Sequence, residues 1–187
     1  MPVLFGVLPW IVYAVVSSFV SVAPAVAVAG AVALVLTGMR LARGVRPAEL
    51  TIDLTTAVVF LIAGGIAVAD GPLVANGLGV ASQFALAAVV GVGLLSGRPF
   101  TEAIARRQVT ADVAALPEFH AFNVRISTAW LLSFLVGGLI LLLAVLILGA
   151  PGRFATYVVV PLAIAVPVRY TAHLTRGVSD VGAVQHN

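Results

Sequence analysis

Apolar residues run through this chain in long blocks, and the polar breaks between them are few. Residues 3–39 carry no charged side chain at all. That stretch is too long for one crossing of a ~30 Å hydrocarbon core and suits two short crossings of ~18 residues each. Ser17, Ser18 and Ser21 mark the break, and Pro24 fits the first turn of a second helix. The pattern therefore predicts spans over residues 3–19 and 22–39, then an arginine-bearing loop over 40–50. A third span, 52–69, closes on the turn signal Asp70-Gly71-Pro72, and a fourth covers 74–96. After a polar section, 97–125, come a fifth span over 126–148 and the turn Ala150-Pro151-Gly152-Arg153. A sixth span, 154–170, and a polar tail, 171–187, complete the chain. The expected fold is all-α: one polytopic membrane domain over 1–187, six transmembrane helices arranged as three hairpins.

The polar section has structure of its own. Pro99 opens a helix expected to reach about Val109, with Phe100 and Ile104 on one face and Arg106 and Arg107 beside them. Pro117 and Glu118 mark a second start, and nothing breaks that helix before Gly149. Thirty-two residues rise about 48 Å, so its first three turns should project beyond the ~30 Å core as an interfacial amphipathic segment. Phe119, Phe122 and Ile126 fall on one stripe of it. The stripe reads either as an ordinary lead-in or as a docking surface for protein or anionic lipid. Arg98, Arg106, Arg107, Phe119, Phe122 and Arg125 are the candidate interface residues.

Composition agrees with the pattern. Hydrophobic residues make up 61% of the chain and charged residues 9%, against about 25% charged in soluble domains. Too little polar surface is available to face water, which excludes a soluble enzyme, a disordered segment and a cytosolic nucleic-acid reader. All ten basic residues are arginine. With six alternating spans, nine of them (Arg40, Arg43, Arg46, Arg98, Arg106, Arg107, Arg125, Arg169, Arg176) fall on one side and only Arg153 on the other. Such an imbalance over short loops puts the rich side, and both termini, in the cytoplasm. Arginine in every basic position, with abundant Ala, Val and Gly, fits a GC-rich bacterial genome. The start, Met1-Pro2-Val3-Leu4, lacks a basic n-region and reads as the beginning of a retained helix.

Chemistry-bearing residues are scarce. Cysteine is absent, which removes disulfides and thiolate sites. His120, His173 and His186 lack carboxylates at metal-site spacing, and without lysine there is no Schiff base or Walker lysine. No cofactor is expected. A lipid-directed enzyme would require Asp53, Arg98 and His173 to converge at the cytoplasmic face. Deeper in the bilayer, Ser82, Gln83 and Asn76 sit in span four, and a buried amide is either interhelical glue or the lining of a polar path. Gly77, Ala81 and Ala85 in the same span, and the pairs Gly64-Gly65 and Gly137-Gly138, allow close helix approach. Pro161 and Pro167 each remove a backbone donor from span six, which bends helices and in some transporters frees carbonyls for ions. The segments Gly44-Val45-Arg46-Pro47-Ala48-Glu49 and Ser96-Gly97-Arg98-Pro99-Phe100-Thr101-Glu102 look alike at an offset of 52 residues. Duplication and ordinary helix-start chemistry both account for that.

Several short motifs in order resemble the intracellular septation protein A family of bacterial inner-membrane proteins. They are Leu8-Pro9 in an apolar first helix, Met39-Arg40-Leu41-Ala42-Arg43 ending the second, the pair Gly64-Gly65, Arg98-Pro99 after span four and Ala129-Trp130 opening span five. The outer turn Asp70-Gly71-Pro72 is less polar than that family's, and arginine stands for its lysine. The resemblance implies a non-enzymatic envelope protein linked to cell division and envelope maintenance, acting through other membrane proteins or copies of itself. No catalytic residue is carried over. The competing expectation is a small-solute or ion transporter or channel acting as an oligomer, suggested by Gln83, the two prolines and the possible repeat. The expected surroundings are the bilayer, with anionic headgroups near the arginine-rich loops, and no nucleic acid.

Overall fold

The computed structural model describes residues 3–148 and 153–184, with side chains over 8–148 and 158–175. Helix α1 (Val3–Val16) ends where Ser17 and Ser18 turn their hydroxyls back to the Ala14 carbonyl. Ser21 begins α2 (Val22–Ala42), with Pro24 in the first turn as expected. A 3-10 turn (Pro47–Glu49) leads into α3 (Thr51–Ala69). Asp70 alone separates α3 from α4 (Gly71–Leu95): its Oδ1 accepts from the Leu73 N–H at 2.9 Å, and Pro72 sits where no donor is needed. Span four thus starts three residues before the expected 74. The polar section folds as α5 (Phe100–Ala105) and α6 (Ala111–Ala114), followed by α7 (Pro117–Leu148) and α8 (Arg153–Val184).

α7 has the extent the sequence predicts. α5 stops four residues short of Val109, and Thr110, in extended conformation, restarts the chain as the N-cap of α6. The polar tail expected over 171–187 is helical through Val184, continuing α8 beyond residue 170. The turn at Ala150-Pro151-Gly152 lies outside the described residues, as do Met1-Pro2 and His186.

No strand occurs among the described residues, and the protein is an all-α polytopic membrane protein. Among the described residues, five helices are long and apolar enough to cross a bilayer: α2, α3, α4, α7 and the Val158–Thr175 stretch of α8. α1, at 14 residues, rises about 21 Å. Large apolar side chains cover the outside, among them Val68 at 85% and Leu95 at 91% exposure. Surface of that kind belongs against acyl chains.

Each long helix packs on its neighbour in sequence, and the α4/α7 contact is the most extensive. Two apolar cores result. The first gathers Tyr13, Ala25, Val26, Ala29, Phe60, Ala63, Ala67, Val74 and Leu78 from α1–α4. The second gathers Leu86, Ala87, Val90, Phe100, Ile126, Trp130, Phe134 and Ala163 from α4, α5, α7 and α8. α4 serves both, its first half in one core and its second half in the other. Ser82 and Gln83 occupy the joint between them.

Candidate functional site

Polar chemistry collects at two places: the arginine-rich end of the bundle, and the joint on α4.

At the arginine-rich end, two helices terminate alike. Gly44 (φ 78°) follows α2 and Gly97 (φ 66°) follows α4, each in the left-handed region that lets a helix stop. Val45 N–H donates to the Arg40 carbonyl at 3.1 Å, and Arg98 N–H to the Gly93 carbonyl at 2.8 Å, closing the same Schellman ring. Each turn then passes through Arg-Pro into a short helical segment with an acidic residue. The likeness of the two loops is one of structure as well as letters.

Ion pairs tie these segments together. Arg107 reaches from beyond α5 to Glu49 in the 3-10 turn, and its Nη2 donates to the Gly44 carbonyl at 3.5 Å. Arg106 donates to Glu102 Oε1 through Nη2 at 2.6 Å and Nε at 3.0 Å, and His120 Nδ1 lies 2.7 Å from Oε2. The carboxylate can only accept, so His120 carries its proton on Nδ1 there. Burial of Glu102 opposes its charge, yet the hydrogen bonds from Arg106 and His120 prevail and hold its pKa below the ordinary value. Thr101 Oγ1 donates to the Asn123 carbonyl at 3.0 Å and sits 2.8 Å from Ser127 Oγ, whose proton completes the pair. Phe100 meets Trp130 edge-on at 5.9 Å. α5 is therefore fastened to α7 by an aromatic contact, a hydroxyl pair and the carboxylate.

Arg40, at the end of α2, places Nη1 2.7 Å from both Asp53 oxygens. Asp53 is nearly buried, and the pair closes the α2–α3 hairpin. The three residues a lipid-directed enzyme would need are placed apart in role: Asp53 is engaged by Arg40, while Arg98 and His173 are exposed on the α4–α5 connection and on α8.

The interface candidates divide. Arg98, Arg106, Arg107 and Arg125 are exposed. Phe119 and Phe122 are half-buried; Phe122 packs on the second core, and Ile126, at 3%, lies inside it. The stripe, open to a lead-in or a docking reading, turns largely inward, because α5 and α4 offer it an apolar wall.

At the joint, Gln83 is fully enclosed, and neither Oε1 nor Nε2 has a hydrogen-bond partner. Gly137 and Gly138 of α7 make room for it. A methyl at Gly137 would stand 3.1 Å from the Ala163 Cβ and 3.4 Å from the Gln83 amide; at Gly138 it would stand 3.3 Å from Gln83 Cβ. Ser82 Oγ donates to its own helix at Gly79, 2.8 Å away, and Asn76 is half-buried toward the other end. Pro167 is buried and Pro161 exposed. Lacking an N–H, Pro167 leaves the Ala163 carbonyl without its helical donor, and Ser133 Oγ of α7 supplies one at 2.9 Å. Tyr170 Oη accepts from Arg125 Nε at 2.9 Å, which fixes the same two helices at the arginine-rich end.

No family model, no curated protein and no solved structure matches this chain. Its chemistry rests on the geometry alone.

Among the described residues, no group of three His, Asp or Glu side chains is placed to hold a metal ion. Sequence reasoning missed the partners more than the residues. Glu102 and Arg106, four apart on a helix, were legible as a pair. His120, 18 residues from Glu102, carried no such signal. Ser133 was the least visible, because nothing in the letters ties it to a proline on another helix.

The Gly77, Ala81 and Ala85 stripe behaves otherwise than close helix packing requires. It lines a groove of about 320 Å³ between α3 and α4, and a methyl at Gly77 would meet nothing within 4 Å.

Proposed function

We propose that this protein is a non-enzymatic, multi-pass component of a bacterial cytoplasmic membrane, a scaffold or partner protein linked to cell division or envelope maintenance. α1 completes six crossings, and both termini face the cytoplasm. The link to division rests on the resemblance to the septation protein A family. The scaffold reading rests on the arginine-rich end of the bundle. The observation that carries it is the use made of the carboxylates there. Asp53, Glu49 and Glu102 are each engaged by arginine, and Glu102 by His120 as well; the first pair closes the α2–α3 hairpin and the others brace a platform of the 3-10 turn, α5 and the first turns of α7. Arg43, Arg46, Arg98 and Arg125 remain exposed around it. A rigid surface with a cationic rim is suited to recognition more than to acid–base chemistry.

The test is site-specific photocrosslinking in native membranes from Arg46, Arg98 and Phe119. Recovery of one discrete protein from all three positions supports the scaffold. Lipid adducts alone, repeated across the three, count against it. The positive-inside orientation is checked separately by tagging Asn187 and assaying its accessibility from outside the cell.

A second reading, a small-solute or ion transporter or channel working as an oligomer, is favoured by one observation: the unpartnered Gln83 amide. A buried amide at a three-helix joint is what a transported polar solute would bind. Reconstituted flux abolished by Gln83→Leu supports that reading, and flux absent in the native protein removes it.

A further inference from the structure

Between α7 and α8 lies an open groove of about 460 Å³, on the lipid-facing side. Its walls are apolar: Leu132, Val136 and Ile140 from α7 face Leu162 and Val166 from α8. Its floor is low because Gly137 and Ala163 meet there without larger side chains. From Ala129 to Ile140 the lined stretch of α7 rises about 16 Å. Half of a ~30 Å hydrocarbon core is ~15 Å, so the groove matches the depth of a single leaflet. A helix of a second copy would follow the wall across the whole core.

Helical spacing places charge at one mouth of this groove. Arg125 lies four residues before Ala129, on the same face of α7, and is exposed. Tyr170, itself a lining residue, accepts from Arg125 Nε at 2.9 Å. That bond steadies the guanidinium at the mouth and uses only one of its donors. Arg169 is exposed next to Tyr170, and His173 stands one helical turn further along α8. The acidic side chain on this part of α7, Glu118, is two turns beyond Arg125 and exposed.

We infer that the α7/α8 groove is a binding site for one anionic phospholipid, with an acyl chain along Val136 and Ile140 and the phosphodiester on Arg125 beside Tyr170. The terminal amino groups of Arg125 supply the paired donors that a phosphate takes. The inference rests on the bilayer-spanning reading and on the arginine-rich end lying in an anionic leaflet.

The test uses the full chain reconstituted in phosphatidylcholine vesicles containing a trace of phosphatidylglycerol with a diazirine in its acyl chain. A phosphatidylcholine carrying the same diazirine serves as the parallel probe. After illumination, adducts are mapped by mass spectrometry. The phosphatidylglycerol probe should label Val136, Ile140 and Val166 in preference to Leu61 and Ile62, which are exposed on α3. The phosphatidylcholine probe should show no such preference. Arg125→Gln should lower the groove label about fivefold, the factor one basic residue carries at an anionic surface. Arg125→Lys should restore part of it, and Arg43→Gln should leave it unchanged. Equal groove labelling by both probes, or an Arg125→Gln variant with the native pattern, overturns the site. So does a groove that neither probe labels and that Val136→Cys crosslinks to a second copy. Loss of label at Leu61 and Ile62 as well would instead overturn the bilayer-spanning reading beneath it.

Discussion

Methionine at position 83 should make this protein more stable. The side chain keeps its unbranched shape and near-equal length while both polar atoms are removed. In the native protein those atoms are enclosed without partners, at the joint of two apolar cores. A buried polar group left unpaired costs about 1–3 kcal/mol, and the amide has two such groups. In the unfolded chain within a membrane, by contrast, the amide finds other partners, which keeps interhelical hydrogen bonds to about 0.6 kcal/mol on average. Removing it therefore relieves the folded state more than the unfolded one. The expected net gain for Gln83→Met is about 2 kcal/mol, or roughly 4–8 °C on the scale of soluble chains of this length.

The assay is denaturation of the detergent-solubilised chain by increasing sodium dodecyl sulfate, read by tryptophan fluorescence. Gln83→Ala is the control. It also loses the amide, but it opens a cavity costing about 24 cal/mol per Å³, so it should fall below Gln83→Met. A Gln83→Met variant destabilised by more than about 1 kcal/mol would refute the reasoning, since the amide would then have a partner worth more than its desolvation. That outcome would at once strengthen the transporter reading, because the partner would be a bound solute or water at the joint.

Arg40→Gln should cost about 3 kcal/mol, because it takes the arginine away from the buried Asp53 carboxylate; adding Asp53→Asn should recover much of the loss in a denaturation cycle. Glu102 has a folded-state pKa below its ordinary value of 4.5. Its contribution is therefore complete above that value and is lost as pH falls through the lowered one. In a Trp10→Phe background, Trp130 fluorescence should report the release of Phe100 and α5 on acidification, and Glu102→Gln should abolish that transition near neutral stability of the rest. Ser133→Ala should cost about 1 kcal/mol by leaving the Ala163 carbonyl unpaired. In a Pro167→Ala background, where the helix regains its own N–H, the same change should cost less than half as much in a double-mutant cycle.

How much of this was legible in the letters depended on what each signal contrasts against. Breakers stand out from an apolar background. Pro117-Glu118 gave the start of α7, and the serines gave the break after α1, which ends at Val16 inside the span expected over 3–19. Which face of a helix is buried is a different matter. In water, burial separates apolar from polar; in lipid, both faces are apolar and periodicity loses its meaning. For that reason the letters left the Phe119, Phe122 and Ile126 stripe open between a lead-in and a docking surface, whereas it packs largely inward.

Size replaces polarity as the signal, and it is incomplete without a partner. On α2 the buried face is Ala25, Ala29, Ala33 and Thr37, small residues at four-residue spacing. On α4 the same spacing of Gly77, Ala81 and Ala85 lines an open groove. The difference lies on the facing helix. Phe60 of α3 fills the space small residues leave on α2, close enough that a methyl at Gly30 would stand 3.4 Å from its Cβ. Its ring also meets Trp10 at 4.6 Å and Tyr13 at 6.0 Å. Phe60 is thus turned to the α1/α2 side, and across Gly77 nothing lies within 4 Å. A stripe of small residues becomes an interface only where a large side chain opposite is directed into it. Dispersion contacts fall away over gaps of an ångström, so the pairing decides the packing, and no single helix contains that information.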